Sequence, residues 1–188
     1  MTYIAPLPKD AIADPELRAL MAEAEALGVP DDLFPRILAR APEQAAPLMR
    51  ALIMSHAQGN VDHRLKEIMR ILLARFADDK YFASLRSAKA RAMGLTEQRI
   101  DDGCFAYEDD AKGFSAAEKC ALRYADLMFL DANQLDKSFY DEMKQHWSEA
   151  QIMELGAFIA FHYGMQMFMR SLGAAPLVSS SEAAGSHL

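Results

Sequence analysis

Residues 64–76 read RLKEIMRILLARF, and residues 79–94 read DKYFASLRSAKARAMG. In the first, Leu65, Ile68, Ile71 and Leu72 recur at the spacing of an amphipathic helix. It carries one acidic residue, Glu67. The second also reads helical, over residues 80–93, and closes on Gly94, a residue type that ends helices. It has neither cysteine nor histidine. Working outward, the rest of the chain repeats this texture. Helices are expected over residues 15–27, 31–41, 42–58 (with Pro47 in its first turns), 62–77, 96–107, 116–130, 137–146 and 149–172. Asp14 before Pro15 is a helix start, Ser115 with Glu118 and Ser148 with Gln151 have capping-box spacing, and Thr96 can cap TEQRIDDGCFAY. Gly28, Gly59, Gly94 and Gly173 each follow an apolar-periodic run, and Pro176 ends the last helix. No stretch alternates at strand length, so the fold class is all-α, a helical bundle.

The chain has 188 residues, 52% of them apolar and 25% charged. Those values fit one soluble domain, over residues 1–176, large enough to bury most of its unfolded surface. Residues 177–188 are small and polar and read as a flexible tail. A formal net charge of −7 argues against a nucleic-acid partner, which needs clustered Lys and Arg. The N-terminus MTYIAPLPKDAIADP lacks a basic start followed by an apolar core, and the longest apolar stretch, residues 155–169, contains His162 and Gln166. The expectation is a cytoplasmic protein with no membrane span. Cys104 and Cys120 form no C-x-x-C pair and read as small buried apolar residues.

Several polar residues need a reason. Glu67 lies near the border of its helix's apolar stripe. It either pairs with Arg64 or Arg70 on the surface, or points into a site where desolvation would raise its pKa and suit it to proton transfer. His63, four residues earlier, could share its face, but two ligands make a weak metal pattern. Arg86 follows Phe82 by one turn. It is either a surface ion-pair partner or a grip for a carboxylate. Tyr81 is a core ring or a proton donor. In AQIMELGAFIAFHYGMQMFMRSLG, residues 150–173, nearly every side is apolar, as in a bundle centre, a subunit interface or the wall of a pocket. Glu154, His162 and Gln166 draw a polar line along it, with Tyr163 beside them. His56 and His146 have no such context.

The order and spacing of GNVDHRLKEIMRILLARF (residues 59–76), Ala90 and Gly94, GLTEQRI (94–100) and ELGAFIAFHYGMQMFMRSLG (154–173) resemble the carboxymuconolactone decarboxylase family, which includes AhpD-like alkylhydroperoxidases. The resemblance runs from about residue 33 to residue 173. It implies an AhpD-like helical bundle that assembles into trimers or hexamers. Redox members carry C-x-x-C-x-x-x-H. Counted back from Gly94, those positions fall on Asp79, Phe82 and Arg86, while Glu67 keeps its place. Disulfide exchange needs both thiols, so it is not expected. The resemblance then implies a cofactor-free lyase of decarboxylase type acting on a small carboxylated metabolite of aromatic breakdown. Glu67, His162 and Tyr81 would be its catalytic residues, and Arg86, Phe82 and Tyr163 would hold substrate, with Arg86 as anion anchor. A non-catalytic oligomeric binding or scaffold protein is the alternative, and a residual peroxidase using Cys104 or Cys120 a second. Asp79 is read chiefly as a helix N-cap.

Overall fold

A computed structural model describes residues 2–175. It contains α1 (Pro15–Ala26), α2 (Leu33–Leu38), α3 (Pro42–Ala57), α4 (His63–Phe76), α5 (Lys80–Ser84), α6 (Ala88–Ala92), α7 (Glu97–Phe105), α8 (Ala116–Leu130), α9 (Lys137–Met143) and α10 (Glu149–Ser171). Three single-turn 3-10 helices intervene, and there is no strand among the described residues. The expected tail and the Pro176 stop lie outside the described residues. The capping expectations are met in detail. Asp14 and Thr96 accept the N–H three residues on, and both Ser115–Glu118 and Ser148–Gln151 form reciprocal capping boxes.

α4 runs through the middle and touches α3, α5, α6, α7, α8 and α10. Asp62 caps it by accepting the Arg64 N–H, and 11 of its 14 residues are buried. One apolar core lies on one side of it, built with α7, α8, α9 and most of α10 around Ile68, Leu72, Ile100, Leu122 and Phe158. A second lies toward α1, α2, α3 and α5, around Leu17, Phe34, Met49, Leu52 and Phe82. α10 borders both cores: its inner face buries Ile152, Leu155, Phe158, Ile159, His162, Gln166 and Met169.

The stretch 80–93 is not the single helix its composition suggests. It breaks at Leu85, whose backbone is extended, and restarts under Ser87, which caps Ala90. The cause lies on α4. Buried Arg70 takes the carbonyls of Phe82 and Leu85, and buried Glu67 takes the N–H of Ser87. A buried ion pair offers backbone groups charge-assisted hydrogen bonds, which are stronger than those of one more helical turn.

Two glycine turns shape the surroundings of this buried pair. Gly59 has φ +97°, and a Cβ there would run into the Glu154 carboxylate. Gly28 has φ +77°, and its Cβ would lie 2.8 Å from the Lys89 backbone nitrogen. Only glycine adopts such conformations without strain and permits such close approach.

Candidate functional site

The centre of the molecule is polar. Glu67, only 1% exposed, accepts four hydrogen bonds. Its Oε1 takes the Ser87 N–H at 2.7 Å and Arg70 Nη2 at 2.8 Å; its Oε2 takes Arg70 Nε at 2.9 Å and His56 Nε2 at 3.0 Å. Arg70, one turn along α4, also donates through Nη1 to the Phe82 carbonyl and through Nη2 to the Leu85 carbonyl, each at 2.8 Å. Burial alone would raise the Glu67 pKa. The charge and hydrogen bonds of Arg70, with the hydrogen bond from His56, outweigh it and hold the carboxyl well below its usual range. Of the two expectations, the pairing with Arg70 is the one observed, in the interior rather than on the surface, and the raised pKa is not: Glu67 is a fixed anion, not a group waiting to take a proton.

That anion orients His56. Because Nε2 faces a carboxylate, Nε2 carries the imidazole hydrogen and Nδ1 is left as a lone pair. Nδ1 is buried and has no hydrogen-bond partner. Burial, with the charges of Arg70 and Lys66, lowers the His56 pKa despite Glu67, so the ring is neutral at pH 7. Two more histidines pack around it. The His63 ring centroid is 4.8 Å away and that of His162 5.7 Å. His63 Nδ1 donates to the His56 carbonyl at 2.8 Å and Nε2 meets the Ser87 hydroxyl at 2.8 Å. Burial, then the neighbouring His56, lowers His63 to about 4. His162 lies 3.4 Å from the Ser55 hydroxyl and 4.2 Å, centroid to centroid, from Phe158, and burial drives its pKa well down. Both His63 nitrogens are thus committed to hydrogen bonds. Among the described residues no group of three or more His, Cys, Asp or Glu is placed to hold a metal.

A small cavity opens on this cluster. Val29, Pro30 and Asp31 form one wall, and Phe34, Leu52, Phe82, Phe161 and Met165 the apolar remainder. His56, Arg70, His162 and Gln166 supply the polar side. About 20 Å³ is open to the centre of a water molecule, room for roughly one water. Gln166 Nε2 donates to the Arg70 carbonyl at 2.9 Å, which fixes the amide's orientation and leaves its Oε1 buried without a partner. Val29, Pro30 and Asp31 also line a larger surface pocket of about 430 Å³, with Lys9, Arg18 and Met21.

The residues singled out from the sequence separate accordingly. Phe82 and His162 line the cavity, and Glu67 reaches it through His56 and Arg70. Tyr81 does not: its hydroxyl donates to Asp31 at 2.5 Å, and burial with that carboxylate raises its pKa so far that it is a poor acid. Arg86 is outside as well. It donates to Glu97 at 2.8 Å and to the Ala83 and Leu85 carbonyls. Tyr163 packs edge-on against Phe129, at 5.1 Å between centroids. Asp79 caps α5 by accepting the Phe82 N–H at 3.0 Å, and its second oxygen is buried without a partner.

His56 escaped sequence reading, and Arg70 entered it only as a surface partner of Glu67. Arg70 had a signal, an i+3 partner to Glu67 inside a run with little other polarity. His56 had none locally, because the Gly59 turn is what folds α3 back along α4 and brings it to Glu67. Cys104 and Cys120 are both buried and unpaired, in α7 and α8. Burial raises both thiols, Cys104 to about 11.

The arrangement of helices is the all-α fold of AhpD-like proteins. The debrominase Bmp8, solved as a variant in complex with 2,3,4-tribromopyrrole, is similar with a TM-score of 0.77 and 18% identity over 98% of this chain and 95% of that one. An uncharacterized peroxidase-related protein from Ralstonia eutropha JMP134, described as an alkylhydroperoxidase AhpD core, has a TM-score of 0.74 and 14% identity, covering 93% of this chain and 92% of its own. A peroxidase-related protein from Silicibacter sp. TM1040 gives 0.72 at 14% identity over the same shares. In sequence, the uncharacterized protein YdfG of Bacillus subtilis is 23% identical over 99 residues. That match covers 52% of this chain and 66% of YdfG, just under two thirds of its length. No family model matches the chain.

Proposed function

We propose that this protein is an acid–base enzyme acting on a small, largely apolar organic molecule, with His56 as the proton-carrying group. The observation that carries the reading is the buried Glu67–His56 pair, which leaves Nδ1 without a partner on a residue that lines a cavity. Glu67 fixes the tautomer and stabilises the imidazolium formed when Nδ1 takes a proton. Burial, Arg70 and Lys66 make that imidazolium a weak holder, so it returns the proton readily. Arg70 serves as a positioning residue, holding Glu67 and the α5–α6 break.

The lyase chemistry suggested by resemblance is kept in its proton-transfer part. Its carboxylate anchor is not, because Arg86 commits its guanidinium to Glu97 and carbonyls outside the cavity. Thiol chemistry has no support from geometry either, since neither cysteine lines the cavity. The saturation of Glu67 by four donors does favour a second reading, in which the cluster is structural and the protein binds without turnover. For assembly, α10 offers an outer stripe of exposed Met153, Ala157, Ala160, Gly164 and Met167, suited to contact between copies.

The test is proton exchange at carbon. Small lactones, enols and hydroxylated or N–H aromatics are incubated in D2O and followed by NMR. Deuterium is expected to enter a C–H position with the native protein, and His56→Gln should slow entry by about 10²–10⁴-fold. The acid limb of kcat/KM should lie below pH 6.5, the ordinary histidine value, because the His56 pKa is lowered. Equal rates in the variant would overturn the assignment.

A further inference from the structure

The polar residues that line the cavity constrain what can enter it. Two of them each carry a buried atom with no partner, His56 Nδ1 and Gln166 Oε1. Both are acceptors, and neither can be turned into a donor by a change of orientation. The Glu67 carboxylate pins the hydrogen of His56 to Nε2, and the Arg70 carbonyl pins the Gln166 amide nitrogen. The cation that lines the cavity, Arg70, already gives four of its five hydrogens to Glu67 and to the carbonyls of Phe82 and Leu85. The other charged group on the wall, Asp31, is acidic. A carboxylate here would meet two lone pairs and the Asp31 carboxyl, against one remaining Arg70 hydrogen and the neutral His162 ring, with the charge of Arg70 already balanced by Glu67. The remaining walls are Phe34, Leu52, Phe82, Phe161 and Met165.

Resting on the proton-transfer reading of this cavity, we infer that its substrate is a neutral molecule presenting an O–H or N–H donor to His56 Nδ1 and Gln166 Oε1, and not a carboxylate. A donor can satisfy a buried acceptor, where an apolar or anionic group leaves both unmet. The cavity as it stands suits a water-sized donor. A ring requires its lining to give way, and Val29, Pro30 and Asp31 are shared with the larger surface pocket.

Binding, independent of turnover, tests this. Pyrrole, N-methylpyrrole and pyrrole-2-carboxylate differ in the donor and in charge on a common ring. Dissociation constants are measured by ligand-observed NMR on the full chain, with two-bond 1H–15N spectra of the His56 ring. Pyrrole should bind about tenfold or more tighter than either analogue and shift the Nδ1 resonance toward that of a hydrogen-bonded nitrogen. In Gln166→Met, pyrrole's advantage over N-methylpyrrole should shrink. Equal binding of N-methylpyrrole, preference for the carboxylate, or no binding of pyrrole at millimolar concentration would each overturn the inference. Failure of the parent reading looks different: pyrrole would bind with its Nδ1 signature, yet His56→Gln would leave proton exchange at carbon unchanged.

Discussion

Arg70 and Glu67 are the residues on which the interior depends. They hold each other through two hydrogen bonds and hold three backbone groups besides, all but the part-buried Leu85 carbonyl away from water. Removing one partner of a buried pair strands the other's charge. Arg70→Met should therefore cost about 3–5 kcal/mol in urea unfolding. A loss below about 1 kcal/mol would mean that the carboxylate finds other partners. His63 bears on pH. Unfolded, its imidazole takes a proton near pH 6.5; folded, only near 4. Between those values the unfolded state binds more protons, so stability falls as pH drops from 7 to 5. Asp31 and Asp79, raised by burial, act in the opposite sense. The diagnostic is thus the difference from His63→Asn, whose loss between pH 7 and 5 should be smaller by up to about 2 kcal/mol.

At the scale of elements, the α3–α4 turn decides whether His56 reaches Glu67. It is clamped from α10. Glu154 accepts the N–H groups of Asn60 and Val61 at 2.8 and 3.2 Å and pairs with Lys66 at 3.0 Å. Lys66 is only 1% exposed and also donates to the Gln58 carbonyl. Glu154→Ala should cost about 2–3 kcal/mol, because it strands a buried ammonium and takes the acceptor from the part-buried Val61 N–H. The same variant should slow proton exchange at carbon by loosening His56. Wild-type exchange in a destabilised variant would show that the turn does not position the ring.

For the whole molecule, α10 presents a pocket wall on one side and an uncovered apolar stripe on the other, with Met153 62% and Met167 39% exposed. Self-association through that stripe is the expected outcome, read by sedimentation velocity. The double variant Met153→Glu, Met167→Glu should shift the chain toward monomer and leave its helical circular dichroism intact. A wild-type monomer at tens of micromolar would refute the assembly. Among the described residues no helix is long and apolar enough to cross a membrane.

The sequence by itself determined the helices, their caps and the all-α bundle, because capping and apolar periodicity are local: Asp14, Thr96, Ser115 and Ser148 act within three residues of themselves. It also marked Glu67, His162 and Gln166 as polar groups in apolar surroundings. Only the tertiary structure decided what those groups meet. His56 comes to Glu67 from another helix, and the break at Leu85–Ser87 is imposed by an ion pair on α4. Arg86 turns outward to Glu97, and Tyr81 to Asp31, fifty positions away. The physical reason is the range of the interactions. Caps and periodicity operate within a turn or two of chain, whereas a buried charge selects its partners from everything that packing brings within about 3 Å.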